Sequence, residues 1–482
     1  MTEELYRLFY PRSIAVVGAS REPTKIGHIV LRNILNGGYQ GKVFPVNPSA
    51  DTILGLKAYP SVSSIGEKVD VVIVAVPSSK CIEVAEDSGS SDASFLVVLS
   101  SGFKEIGNLD LEKQLVNTAR KYGMRLLGPN IFGYVYTPSR LNASFGPSNL
   151  FPGKTAFITQ SGALGIALMG YSVAERIGVS SVVSLGNKAD INDADLLGFF
   201  ENDPNTNTII LYIEGVEDGR RFLETASRVS VKKPIIAIKA GRTEVGARAA
   251  ASHTGSLSSG PLLWEGVLKQ CGALQVKDIE TAFDHARLFE VYNLPPGPKV
   301  LVITNGGGAG VQATDTLAEN GIYLSEPPQD YVQYLKTFLP PFASLRNPVD
   351  ITGGAPDEYY YLATKKALED PGIDSILVLY CQTLTTNPLH TAEMLVKAVS
   401  EPKTRKPVVA GFVGGHETRK AIEYLLQHRV PAYPTPERAA LALSGLYRYS
   451  KLRSVVSRRL EYLRLSLNAV TTKTKKIEAW NI

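Results

Sequence analysis

A repeat constrains the fold of this chain more than any other feature. KTAFITQSGALGIA (Lys154–Ala167) aligns without gaps on KVLVITNGGGAGVQ (Lys299–Gln312), 145 residues further on. Each copy reads lysine, apolar strand, threonine, glycine-rich turn and helix, so a large module occurs twice rather than a short solenoid unit many times. A strand that feeds a helix through a glycine-rich turn belongs to a parallel sheet with helices on both faces. Each copy also aims the amide N–H groups and the positive dipole end of a helix at whatever lies above the sheet. One such turn can be nothing more than tight strand-to-helix packing. Two suggest a pair of anion-binding helix ends that could hold a phosphoryl group from both sides.

The rest of the chain has the same alternation. Strands are expected at Ser13–Gly18, Lys42–Val46, Val69–Val76, Phe95–Leu99 and Arg125–Leu127, with helices between them at about Ile26–Leu35, Ser79–Glu86 and Asp110–Tyr122. The second module adds strands at Thr155–Thr159, Val179–Ser184, Thr208–Ile213 and Pro234–Ile238. Proline- and glycine-rich joints at 147–153 and 294–298 separate the modules. At 482 residues the chain exceeds one ordinary core and should form roughly three domains of about 150 residues each. The expected boundaries are 1–148, 149–294 and 295–465, followed by a tail at 466–482. An alanine- and leucine-rich helix is expected over Glu437–Tyr447. The basic, amphipathic residues from Lys451 read as a surface or subunit-contact helix, or as a solvated tail.

In parallel sheets ligands lie beyond the carboxyl ends of the strands. Here those ends are Gly18-Ala19-Ser20, Asn47-Pro48, Pro77-Ser78, Ser100-Ser101-Gly102-Phe103 and Pro129-Asn130. The first turn has one glycine where the dinucleotide fingerprint has three, and the second strand ends without a ribose-binding carboxylate, which argues against NAD. A phosphate-bearing nucleotide derivative fits, with Ser20, Arg21 and Lys25 beside the first helix N-terminus to receive it. A domain that binds nothing remains open, because this topology hosts many functions.

Between a buried strand and an apolar helix lies GRTEVGARAAASHTGSLSSG (Gly241–Gly260), rich in small residues and carrying His253. Such a loop can be mobile, and its histidine can be a bystander. Set between two helix N-termini, however, an imidazole can accept a phosphoryl group, since it is a good nucleophile at neutral pH. It would need a carboxylate on its other ring nitrogen. Glu214, at the end of an apolar strand, supplies one, unless it is only a surface glutamate.

At these residues the chain resembles the alpha subunit of the ADP-forming (NDP-forming) acyl-CoA synthetases, in the succinyl-CoA synthetase superfamily. The resemblance is carried by RAAASHTGS around His253, TQSGALG at Thr159–Gly165 and LGPNIFG at Leu127–Gly133. NGGGAGV at Asn305–Val311 and NPVDITGGA at Asn347–Ala355 add to it, so the motifs span nearly the whole chain. The resemblance implies an α/β protein with a Rossmann-like CoA-binding domain followed by two flavodoxin-like domains. It implies that His253 is phosphorylated and that Glu214 stabilises it. Gln160, Ser161 and Gly162 with Asn305, Gly306, Gly307 and Gly308 would bind the phosphoryl group. Coenzyme A would meet Gly18, Ala19, Ser20, Arg21, Lys25, Asn47, Pro48, Pro77, Ser100, Ser101, Gly102 and Phe103. Asn130 and Gln160 would contact the substrate. Ile131 replaces a cysteine common among relatives, a change that tunes the acyl pocket at most.

The implied reaction converts an acyl-CoA, phosphate and ADP to the acid, CoA and ATP through an acyl phosphate and a phosphohistidine. The chain has no GxxxxGK[ST] motif and no room for an ATP-grasp fold. The nucleotide site is therefore expected on another polypeptide, and the resemblance implies a separate ATP-grasp beta subunit carrying ADP/ATP and its Mg, in an alpha2beta2 heterotetramer; no metal site is expected in this chain. The sequence does not name the acid. The alternatives are a catalytically silent CoA-binding regulator, or an acyltransferase built on the same domains. The net charge of +5 is too diffuse to argue for nucleic acid. Three scattered cysteines suit a reducing cytoplasm. No signal peptide and no membrane span are expected.

Overall fold

The computed structural model describes residues 4–248, 260–401 and 406–478. His253 lies outside the described residues. The chain divides into two compact units, one of residues to 277 together with those from 455, the other of 278–454.

The first unit contains two sheets. The N-terminal sheet is built from β1 (Ser13–Val17), β2 (Lys42–Val46), β5 (Val71–Val74), β6 (Phe95–Val98) and β7 (Arg125–Leu127), all parallel, in the order β2-β1-β5-β6-β7. A small hairpin, β3 (Thr52–Ile53) and β4 (Leu56–Lys57), stands beside it. Beyond Ser13, Lys42 and Arg125 at their starts the strands are apolar, because both faces are covered. Ala15 and Val17 meet the helices Cys81–Ser90 and Leu109–Lys121 on one face. Ile14 and Val16 meet the helix Ile26–Asn36 on the other, in a core that continues into the second sheet.

That second sheet runs β14-β13-β12-β10-β11-β8-β9. Its parallel strands are β10 (Pro152–Thr159), β11 (Val179–Ser184), β12 (Thr208–Ile213), β13 (Ile235–Lys239) and β14 (Leu274–Val276). β8 (Gly133–Tyr136) and β9 (Leu141–Ser144) extend it antiparallel beyond β11. The boundary expected at 148 therefore falls elsewhere, since residues 133–144 belong to the second sheet. Their pairing partner lies some 45 residues downstream (Ser181 opposite Tyr136), so nothing local marks it.

In the second unit β15 (Val300–Thr304), β16 (Val349–Asp350), β17 (Ser375–Cys381), β18 (Val408–Val413) and β19 (Ala432–Tyr433) form a parallel sheet ordered β16-β15-β17-β18-β19. The linker 294–298 does not open this unit. The preceding helix, Ile279–Val291, belongs to it, with Asp284 receiving two hydrogen bonds from Arg438 at 2.6 and 2.9 Å and Phe289 edge-on to Tyr449. The C-terminal segment is one helix, Pro436–Glu478, continuous through the boundary expected at 465. Among the described residues no helix is long and apolar enough to cross a membrane.

His285 on that preceding helix is fully buried, with Gly445 so close that a Cβ there would fall 2.4 Å from its Nδ1. Burial, and then Arg448, push its pKa down to about 3. The ring is neutral when folded and charges below its ordinary value near 6.5 when unfolded, so the unfolded chain takes up the proton and stability falls as pH drops. Asp284, whose pKa burial raises, acts in the opposite sense. Between pH 7 and 5 the second unit is thus expected to lose about 2 kcal/mol through His285 alone. Thermal unfolding of His285→Leu should be flat over that interval; a slope equal to that of the unaltered chain would assign the loss to another group.

Candidate active site at the strand ends

Counting only the parallel strands, all three sheets have the order second-first-third-fourth-fifth, which places a ligand crevice between the first and third strands. In the N-terminal sheet this crevice lies between β1 and β5. Gly18 has φ +86°, and a Cβ on it would stand 2.4 Å from the Ala75 carbonyl oxygen. Asn47 closes the turn by donating to the Ala19 carbonyl at 2.7 Å, and the Ser20 carbonyl lies 2.8 Å from Nδ1 of His28. Arg21 donates to the Thr52 carbonyl, and Lys25 is an exposed side chain 3.8 Å from Glu22. Ser100 Oγ donates to the Val76 carbonyl at 2.5 Å. Phe103 departs from expectation. Its ring is wholly buried in the core and its N–H goes to Glu105, so it holds the turn and offers no ligand contact. Burial acts to raise the pKa of Glu105, but hydrogen bonds from Asn187, Gly102 and Phe103 outweigh it and hold the value low.

A cavity of about 560 Å³ opens where this crevice meets the second sheet. Pro77, Ser100, Ser101, Asn130 and Gly162 line it, which brings together five residues expected at the site. Gly18, Ala19, Arg21, Lys25, Asn47 and Pro48 are outside the lining, at the neighbouring turn. Ile131, expected at most to tune the acyl pocket, lines it together with Leu99, Phe132, Phe145 and Ile166, an apolar wall that sequence reasoning otherwise passed over because such residues cannot be told from core along the chain. The floor is the N-terminus of the helix Gly162–Ala174, capped by Ser161, whose Oγ accepts the Leu164 N–H.

The two repeated turns are built alike. Thr159 Oγ1 accepts the Ser161 N–H at 3.1 Å and donates to the Ser161 carbonyl; Thr304 does the same with Gly306 at 3.0 Å. The helices that follow, Gly162–Ala174 and Gly307–Glu319, are both 13 residues long. The next side chain in each turn reaches sideways to the neighbouring strand end. Asn305 clasps Cys381, accepting its N–H at 2.7 Å and donating to its carbonyl at 2.9 Å. Gln160 accepts the N–H groups of Glu214 (2.5 Å) and Gly215 (3.0 Å) and donates to the Gly215 carbonyl (2.7 Å). Both side chains are buried. The sequence reading gave both to the phosphoryl group, and Gln160 also to the substrate. The structure instead commits their amides to main chain, and the N–H groups of Ser161 and Gly306 to the threonines of their own turns, while Gly162 lines the cavity.

Glu214 is half-buried just past the end of β12. Burial, and then the charge of Glu214, raise the pKa of Tyr212. Two lysines the sequence reading missed reach the same turn. Lys188 donates to the Gly215 carbonyl (2.6 Å) and pairs with Asp193 (2.7 Å). Lys239 donates to the carbonyls of Glu214 (3.0 Å) and Ala240. A lysine closing an apolar strand was the available signal for Lys239.

Comparison with known proteins divides the chain into three. Residues 12–137 match a family described as CoA binding domain, 152–289 the succinyl-CoA ligase like flavodoxin domain, and 300–457 the ligase-CoA domain. A relative from Pyrococcus furiosus, acetate–CoA ligase [ADP-forming] I subunit alpha, is 50% identical over 93% of this chain and 98% of its own length. Acetate–CoA ligase [ADP-forming] from Methanocaldococcus jannaschii is 37% identical over 98% of this chain but only 68% of its own. Among solved structures, dinucleotide forming acetyl-coenzyme A synthetase 1 of Ca. Korarchaeum cryptofilum, in complex with phosphate and ADP, superposes with a TM-score of 0.94. It is 55% identical and covers 95% of this chain and 99% of that one.

Proposed function

The chain belongs to the alpha subunits of the ADP-forming acetate–CoA ligases, and from that premise we propose that it carries the thioester-cleaving and phosphoryl-accepting half of an acid–thiol ligase acting on acetyl-CoA. One observation bears most of the weight. The cavity has strand ends of the CoA-binding domain on one wall and the helix N-terminus at Gly162 on another, so a thioester and a phosphate share one space. Coenzyme A enters over the turn Gly18–Arg21, with Lys25 near its phosphates, and Ser100, Ser101 and Asn130 face the acyl end. Phosphate oxygen attacks the thioester carbonyl carbon, the C–S bond breaks, and the thiolate leaves and takes up a proton. Dipole and amide N–H groups at Gly162 offset the charge that develops.

The imidazole of His253 then attacks phosphorus of the acyl phosphate, and the carboxylate departs. Glu214 stabilises the cationic ring. Oxygen of ADP attacks the phosphohistidine, the P–N bond breaks, and ATP forms. The nucleotide and its Mg sit on a partner chain with an ATP-grasp fold, in a cytoplasmic alpha2beta2 assembly. The relatives support this division. The one named a subunit alpha is matched over nearly its whole length, whereas the one named without a subunit has about a third with no counterpart here.

The full chain, incubated with acetyl-CoA and ³²P-phosphate and no partner, is expected to take up one acid-labile label and release CoA in equal amount. An unlabelled chain, or a label stable in acid, would overturn the proposal.

A further inference from the structure

The antiparallel hairpin β8–β9 is an addition to the repeated module. β8 continues the second sheet beyond β11, with Ser181 opposite Tyr136. In the second unit the corresponding edge strand is β16, met by one isolated bridge between Ser344 and Asp350, and the described residues there form no hairpin. The addition does not remove a sheet edge, since β9 becomes the new one. It does help to join the two sheets of the first unit, through Tyr134, Tyr136, Leu141 and Ala143 in their common core.

The open end of the hairpin faces elsewhere. Gly133 pairs with Ser144, and the next opposed residues, Phe132 and Phe145, are joined by the Phe145 N–H donating to the Phe132 carbonyl at 3.1 Å. Opposed residues of an antiparallel pair project to one side, and both phenylalanines line the cavity of about 560 Å³. Phe132 is seated on the helix that forms the cavity floor. A Cβ on Gly165, in the first turn of that helix, would stand 2.3 Å from Cε1 and 2.9 Å from Cζ of the ring. The repeat supplies an internal control, because the equivalent Gly310 would bring its Cβ no closer than 3.2 Å to Pro348 and Thr304. Both copies have the glycine, and the first presses an aromatic ring against it.

Ile166, one turn beyond Gly162 on the same helix face, lines the cavity too. Among the described residues no charged side chain does. The space flanking the helix end is therefore bounded by hydrocarbon. A carbon chain can enter it, whereas a charged group on that chain would lose its water and gain no partner.

Resting on the reading that thioester and phosphate meet at Gly162, we infer that Phe132 and Phe145 are specificity-determining residues of the ligase. They close the acyl pocket, so that it admits a short, uncharged aliphatic acyl group such as acetyl and turns away butyryl, whose extra methylenes would have to displace a ring held on one side by the hairpin and on the other by Gly165.

The test is the second-order rate constant for acid-labile labelling of the full chain by ³²P-phosphate, with acetyl-CoA and with butyryl-CoA, each well below saturation. The unaltered chain is expected to prefer acetyl-CoA by at least about 100-fold. In Phe145→Ala the butyryl-to-acetyl ratio should rise about 10- to 100-fold, with butyryl-CoA reacting faster than in the unaltered chain. Phe132→Leu, which keeps an apolar contact with Gly165, should move the ratio the same way and serves if the alanine variant does not fold. A merely structural role would slow both acyl-CoAs alike. Equal slowing in both variants, or an unaltered chain that uses the two acyl-CoAs equally well, overturns the inference and leaves the site standing. No label from either acyl-CoA in the unaltered chain would instead remove the reading of the cavity on which the inference rests.

Discussion

Replacing His253 by alanine is expected to abolish acid-labile labelling from acetyl-CoA and phosphate, and to lower turnover of the complete ligase by at least about 10³-fold. Loss of the nucleophile removes the covalent step. Three of the described histidines are already committed. His28 lies against the Ser20 carbonyl, His285 is neutral and sealed inside the second unit, and His390 lies 2.9 Å from the carboxylate of Asp357. Acyl phosphate formation needs only the cavity and the helix end, so His253→Ala should still release CoA from acetyl-CoA and phosphate, up to one equivalent per site. That split separates the two half-reactions. If CoA release vanished together with the label, the histidine would be acting in thioester cleavage too. If the label persisted, another residue would be the acceptor. Glu214→Gln should fall between, with slow labelling and normal CoA release, because the glutamate assists the imidazole without bonding to phosphorus.

Local signals were sufficient for the architecture. Strand and helix periods, the repeat at 145 residues and the glycine-rich turns point to sheets of parallel strands, and the structure has three such sheets, the second extended by two antiparallel strands. What escaped were relations between residues far apart in sequence. GYVY and LNAS look like the end of the first domain, yet they pair with β11. The helix 279–291 precedes a proline linker but packs against the unit that follows it, through Asp284 and Phe289. The same limit applies at the site. A glutamine or asparagine beside a glycine-rich turn reads as a ligand contact, while its partner is a strand end 54 or 76 residues away. Phe103 sits in a polar turn, and only the fold shows its ring pointing into the core. Lys188 bonds a main-chain carbonyl and has no sequence signature, and Lys239 is marked only by closing an apolar strand.

Gly27→Ala is expected to be strongly damaging to the first unit, although nothing in the sequence reading singled it out. Gly27 is the second residue of the helix Ile26–Asn36, and a Cβ there would stand 2.0 Å from the carbonyl oxygen of Gly18 and 2.7 Å from its carbon. Neither side can yield easily. Gly18 is fixed by its own approach to the Ala75 carbonyl at φ +86°, and the helix is fixed by Val30, Leu31 and Ile34 in the core. The methyl group must therefore push the helix off β1 or unmake the turn, at a cost of about 3 kcal/mol. The unfolding midpoint should fall by roughly 6–12 °C, and CoA affinity should be lost in the fraction that stays folded, since this turn is the proposed entry for the cofactor. Gly198→Ala is the control. It lies within the helix Asp193–Asn202 with nothing within 4 Å of the added methyl group, so it should gain up to about 1 kcal/mol from helix propensity. Equal midpoints for the two variants, with CoA binding intact in both, would mean that the first turn is pliable and that the contact between Gly18 and Gly27 does not shape the CoA site.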